Sequence, residues 1–121
     1  MVETMIAPIL WVFGIVTGLM AFQFLFPRWY STTFNKLEAS SVETKFYASQ
    51  AGLAIAVQGA LLFYAGFHPS IRDVVILFVG SGKLVFATYL WINLKRLPGM
   101  LVTAIIDSLA VFLFAAYLLR I

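Results

Sequence analysis

Cysteine is absent from the 121 residues, which excludes disulfides, thiolate metal sites and a cysteine nucleophile. Charge is nearly as scarce: Asp, Glu, Lys and Arg make up 11% of the chain, against about 25% in an ordinary soluble domain. The eight basic residues stand singly, apart from the neighbours Lys95 and Arg96, so the chain has no basic patch of the kind that binds nucleic acid. Histidine occurs once, as His68, with no second His, Cys or carboxylate at ligand spacing, and no metal site is expected. His68 and Asp107 belong at different depths, so no Ser-His-Asp arrangement is expected either.

What the chain has in abundance is apolar length. It is 63% hydrophobic, and its mean hydropathy is +1.00. The apolar residues fall into four blocks, at about residues 6–26, 41–66, 74–95 and 100–119, each near the roughly 20 residues that cross about 30 Å of hydrocarbon. The expected fold is an all-α membrane protein, a four-transmembrane-helix up-down-up-down bundle forming a single transmembrane domain over 1–121. The first block reads as a mature helix rather than a signal peptide: Glu3 stands where a basic n-region would, and the apolar run is long.

Local signals mark the ends of the blocks. Pro8 suits a first helical turn, and Pro27 is expected to end the first helix. Ser40 followed by Glu43 matches a capping box that starts the second helix near Ser41. The short FHPSIRD turn forces the second and third helices to be antiparallel neighbours, and Leu97-Pro98-Gly99 turns the chain into the fourth. Between Pro27 and Ser40, Arg28, Trp29 and Tyr30 read as interface anchors at headgroup depth, as do Lys95 and Arg96, while Phe34 and Leu37 are expected to lie along the membrane surface.

Small residues mark expected helix-packing faces. Gly14 and Gly18 form a GxxxG pair, Gly52 and Ala56 belong to a seam on the second helix, and Gly80 lies near Lys83 on the third. Intrachain packing is the first reading of these faces, and contact with another subunit or a second copy is the other. The side holding the first and third connections carries Arg28, Lys36, Lys45, Lys95 and Arg96, whereas the other carries Arg72 and Arg120. Basic residues favour the cytoplasm, so both termini are expected outside it.

The sharpest feature is Lys83, near the middle of the third block. An ammonium at the bilayer centre costs about 2.5 to 3.5 kcal/mol on insertion scales, which the surrounding Val, Ile, Leu and Phe residues offset. Gln23, Gln58 and Asp107 are the other polar groups within the spans. At about 1.5 Å per residue, the axial offset between Lys83 and Asp107 is roughly 4 to 8 Å, within reach of a lysine stem. Gln58 lies almost level with Lys83 across the hairpin, so Lys83, Asp107 and Gln58 are expected to form one intramembrane polar cluster. A static network that glues the bundle leads. A proton or ion path, and contact with a partner subunit, cofactor or lipid headgroup, are the alternatives. The stretch Gly80-Ser81-Gly82-Lys83 fails the spacing of a phosphate-binding loop and lies within an apolar helix.

The pattern GSGKLVFATYLWINL followed by LVTAIIDSLAVFLFAAYLL resembles small bacterial membrane proteins of the DoxX-like kind. The resemblance covers topology, length and the glycine, lysine and aspartate positions. It implies a four-helix bundle in the bacterial inner membrane with an accessory role, and no catalytic residue carries over. The expected function is a non-catalytic accessory or structural subunit of a larger membrane complex, of the respiratory or photosynthetic kind, not an enzyme. Its expected partners are the lipid bilayer and other membrane subunits or a second copy. No cofactor is dictated by a motif, although the aromatic residues can contact lipid, quinone or pigment. A small transporter or channel using the Lys83/Asp107 pair is the alternative.

Overall fold

The computed structural model describes residues 2–120, with side chains from Thr4 onward; the side chain of Glu3 lies outside the described residues. Four helical spans, Thr4–Leu25, Val42–Ala65, Pro69–Ile92 and Pro98–Leu118, are long and apolar enough to cross a membrane. The first comprises α1 (Val2–Gly18) and α2 (Ala21–Leu25); a short helix α3 (Pro27–Thr33) follows, then α4 (Val42–Ala65), α5 (Pro69–Ile92), a 3-10 turn (Pro98–Met100) and α6 (Leu101–Leu118). The expected four-helix bundle is present, with closest pairings of α1 and α2 on α4 and of α5 on α6.

Several boundaries differ from the sequence reading, each for a local reason. The first span is broken at Leu19 and Met20, where tight bonds from Met20 N–H to the Thr17 carbonyl (3.2 Å) and from Phe22 N–H to the Leu19 carbonyl (3.0 Å) replace the regular ladder. The break directly follows Gly18, and glycine is a weak helix former. The first span ends at Leu25, just before Pro27 as expected, but Pro27 also opens α3, a position where its missing N–H is harmless. Pro69 does the same for α5, so the third span begins five residues before Val74 and stops at Ile92 rather than Lys95. The cap of α4 is Ser41, not Ser40. The Ser41 hydroxyl accepts from Thr44 N–H at 3.1 Å, and Ser40 hydrogen-bonds the Glu38 carboxylate instead.

Backbone contact holds α1 and α2 against α4. A Cβ added at Gly14 would fall 2.7 Å from Phe63 N and 2.8 Å from the Gly59 carbonyl, and one added at Gly52 would fall 2.6 Å from Phe24 N. Only glycine permits that approach. The GxxxG pair is asymmetric: a Cβ at Gly18 would meet nothing within 4 Å, although the backbone of Gly18 is what Gly59 presses on. Gly80 has room to spare, its added Cβ reaching the Phe114 ring only at 3.5 Å, and Ala56 is half-buried.

The apolar core has two parts. Toward the termini, Ile6, Leu10 and Phe13 of α1 meet Leu62 and Ala65 of α4, Ile76 and Val79 of α5, and Ala110, Phe114 and Tyr117 of α6. At the opposite end, Leu90, Met100 and Ala104 pack with Leu37 and Leu97. Leu37 thus tucks under the bundle rather than lying along the membrane surface. Phe34 stays exposed, its ring edge-on to Trp29 at 5.4 Å.

Candidate functional site

The buried positions of α5 recur as Ile76, Val79, Lys83, Ala87 and Leu90, and those of α6 as Ala104, Asp107, Ala110, Phe114 and Tyr117. This helical spacing puts Lys83 and Asp107 on facing stripes, in the layer between the two apolar cores. Lys83 Nζ donates to Asp107 Oδ1 at 3.0 Å, and the residues are 7% and 8% exposed. The alanines a turn away from each leave space for the lysine stem to bend toward α6. Two opposite charges at this distance, shielded from water, neutralise each other where either alone would be costly. Trp91 Nε1 donates to Ser108 Oγ at 2.8 Å, a second polar tie between the same helices.

Gln58 is not part of this pair. Among the described residues its amide makes no hydrogen bond. The reason is rotational: α4 turns Gly52 and Gly59 toward the first span, and Gln58 lies roughly 100 to 120° around the helix from them. Level height did not bring the amide onto the face of Lys83. Among the described residues a single hydrogen bond therefore joins the charges, with no third member.

A second polar cluster was not legible from spacing. Gln23, 6% exposed, donates from Nε2 to the Ala48 carbonyl at 2.8 Å, and Asn35 Nδ2 donates to Gln23 Oε1 at 3.3 Å. Ser49 Oγ donates to the Phe24 carbonyl at 2.7 Å. These bonds tie α2, α4 and the segment after α3 together. Lys36, next to Asn35, adopts the left-handed conformation (φ 56°) in the turn that brings the chain back beneath the bundle. The only sequence signal was an amide, Gln23, four residues before Pro27.

Several of the remaining polar residues have structural partners or sit at the rims, whereas the buried Trp11 Nε1 makes no hydrogen bond among the described residues. His68 Nδ1 lies 2.9 Å from the Tyr64 carbonyl, and its ring stacks on Tyr64 at 3.8 Å. Arg72 donates from Nε and Nη2 to the carbonyls of Ala65 and Gly66 at 3.1 and 2.9 Å, capping the end of α4. Arg120 pairs with Asp73 at 3.0 Å on the same rim. On the opposite rim, Arg28, Trp29, Lys95 and Arg96 are exposed, and Tyr30 is half-buried, its phenol pushed up by burial. Hydrogen bonds from the Ser40 hydroxyl and N–H, and more weakly the Arg28 charge, hold the Glu38 carboxyl below its usual range. Among the described residues no group of His and carboxylates could hold a metal ion. Comparison with protein-family models, curated proteins and solved structures finds no match to this chain.

Proposed function

We propose that this chain is a non-catalytic accessory or structural subunit of a larger membrane assembly, seated against its neighbour through the outer face of α4. The observation that carries the reading is a mismatch on that helix. Of the four spans, Val42–Ala65 is the least buried within the bundle, 17% against 28% for the others, and it is also the least apolar. A face turned to lipid should be the most apolar one. Here Ala51 and Ala54 are exposed, and Gln58, on the same side of the helix, has an amide without a hydrogen bond among the described residues, at a depth where water is scarce. Burying an amide without a partner costs on the order of 2 to 7 kcal/mol, and small residues beside a polar side chain are how spanning helices accept one another.

The charges inside the bundle support the same reading. Lys83 and Asp107 satisfy each other, which suits glue between α5 and α6 better than a relay that must pass a charge on. The resemblance to DoxX-like proteins points to the same accessory role in a bacterial inner membrane, of a respiratory or photosynthetic system. The excess of basic residues around the first and third connections orients both termini away from the cytoplasm. A transporter or channel working through Lys83 and Asp107 is the competing reading. It requires ion- or substrate-dependent flux in liposomes that Asp107→Asn abolishes while the fold persists.

The deciding experiment is extraction from native membranes in a mild detergent, followed by native mass spectrometry of wild type and Gln58→Leu. The expected result is a complex with other membrane polypeptides at fixed stoichiometry, weakened by the substitution. Migration of the wild-type chain as a lone monomer contradicts the proposal.

A further inference from the structure

Where α3 leaves the first span and α4 begins, a cleft of about 410 Å³ opens between them, lined by Phe26, Pro27, Arg28, Trp29, Thr32 and Lys45. We propose that this cleft binds the phosphate headgroup of an anionic phospholipid, through Arg28 and Lys45, with Phe26 and Trp29 against the top of its acyl chains. The inference is independent of whether the chain is an accessory subunit.

Depth comes first. Leu25 ends the first span and Val42 opens the second, so a cleft between Phe26 and Lys45 lies at the level where phosphates of a bilayer reside. The apolar wall fits that level too: Phe26 and Trp29 meet edge-on with ring centres 6.4 Å apart, and both are exposed. Tryptophan is favoured at this depth because one end of its ring system is apolar and the other polar.

The state of the two cations is the second argument. At the opposite rim the protein uses its own basic groups: Arg72 caps α4, and Arg120 pairs with Asp73. In the cleft, neither Arg28 nor Lys45 makes a side-chain hydrogen bond or ion pair with a described residue. The carboxylates nearest in sequence form no ion pair with them. Glu38 feels the Arg28 charge but is held by Ser40, and Glu43 is exposed two residues before Lys45 on α4. Lys36 is engaged elsewhere, its Nζ donating to the Thr33 carbonyl at 2.9 Å. The Thr32 hydroxyl donates to the Arg28 carbonyl at 2.7 Å, which leaves its oxygen as an acceptor.

Two cations without a hydrogen-bond or ion-pair partner among the described residues line this one cleft, and one is a guanidinium that can grip two phosphate oxygens at once, which suits a phosphodiester. Basic pockets at the cytoplasmic ends of spanning helices take anionic headgroups for this reason. The same chemistry would accept free phosphate, but the apolar wall beside the cations gives a lipid contacts that the free ion cannot make.

The test uses the full chain in phosphatidylcholine vesicles carrying about 20 mol% of either acyl-brominated phosphatidylglycerol or acyl-brominated phosphatidylcholine. Bromines near the headgroup quench Trp29, whose signal is isolated by subtracting that of Trp29→Phe. The expected result is preferential quenching by the anionic lipid, corresponding to about five- to tenfold enrichment at the cleft. The double variant Arg28→Gln/Lys45→Gln should bring quenching down to the zwitterionic level, and Lys45→Glu alone should do the same. The pair Lys95→Gln/Arg96→Gln, on the same rim but outside the cleft, should leave it unchanged. Equal quenching by the two lipids overturns the site, and equal loss in the Lys95/Arg96 variant overturns it in favour of diffuse attraction. Loss of the preference when inorganic phosphate is added overturns its assignment to a lipid.

Discussion

Replacing Asp107 by Asn removes one charge of the buried pair and leaves the other in place. Lys83 is 7% exposed and, among the described residues, has Asp107 Oδ1 as its one hydrogen-bond acceptor, so Asp107→Asn strands an ammonium between two apolar layers. Removing one partner of a buried pair typically costs about 3 to 5 kcal/mol, most of it from the unpaired charge. Snorkelling offers limited relief, because the lysine is near the middle of α5, roughly 13 to 20 Å from either end of the helix. Asp107→Asn is therefore expected to lower stability by about 3 kcal/mol. Replacing both charges, Lys83→Met with Asp107→Leu, exchanges the pair for apolar groups of similar size, and the double variant should return to within about 1 kcal/mol of wild type. Equilibrium unfolding in mixed micelles, followed by circular dichroism, measures wild type, Asp107→Asn, the double variant and its two component single variants. The reasoning is refuted if Asp107→Asn costs less than about 1 kcal/mol, or if the double variant is destabilised by the sum of the two single changes.

Other substitutions test the packing in the same unfolding assay. Gly59→Ala should destabilise by about 1 to 3 kcal/mol, because its Cβ would run into the backbone of Gly14 and Gly18, whereas Gly18→Ala, with open space at that point, should be neutral or stabilise by up to about 1 kcal/mol. Gln23→Leu leaves the Ala48 carbonyl and the Asn35 amide without their partner and should cost about 1 to 3 kcal/mol, with faster proteolysis of the segment after α3 as a second readout. Ser41→Ala should cost about 1 kcal/mol as a lost cap, and Ser40→Ala should cost less, reversing the order that the Ser40–Glu43 spacing suggests.

The number of spans and their alternation were legible because hydrophobic length and short turns dictate them. Lys83 and Asp107 were also within reach of simple arithmetic: rise per residue put them at compatible heights on neighbouring helices, and their small neighbours kept the space between open. Gln58 shows the limit of that arithmetic. Height along a helix follows from counting, but rotation depends on which face packs closest, and on α4 the glycines at 52 and 59 decide it. The break at Leu19 and Met20 and the helix begun by Pro27 were hidden for a related reason: proline ends one helix and opens another equally well, and neighbouring structure selects between the two. Asn35 had no signature, since its partner Gln23 is brought to it only once the chain has turned back beneath the bundle.

The outer face of α4 is where the proposed role is most exposed to test. A photo-crosslinking residue placed at Ala54, with Phe112 on the outer face of α6 as the comparison, reports directly what each face touches in native membranes. The expected result is a discrete adduct between position 54 and another membrane polypeptide, lost on adding Gln58→Leu, with lipid adducts alone at position 112. Lipid adducts alone at both positions would contradict the accessory-subunit reading.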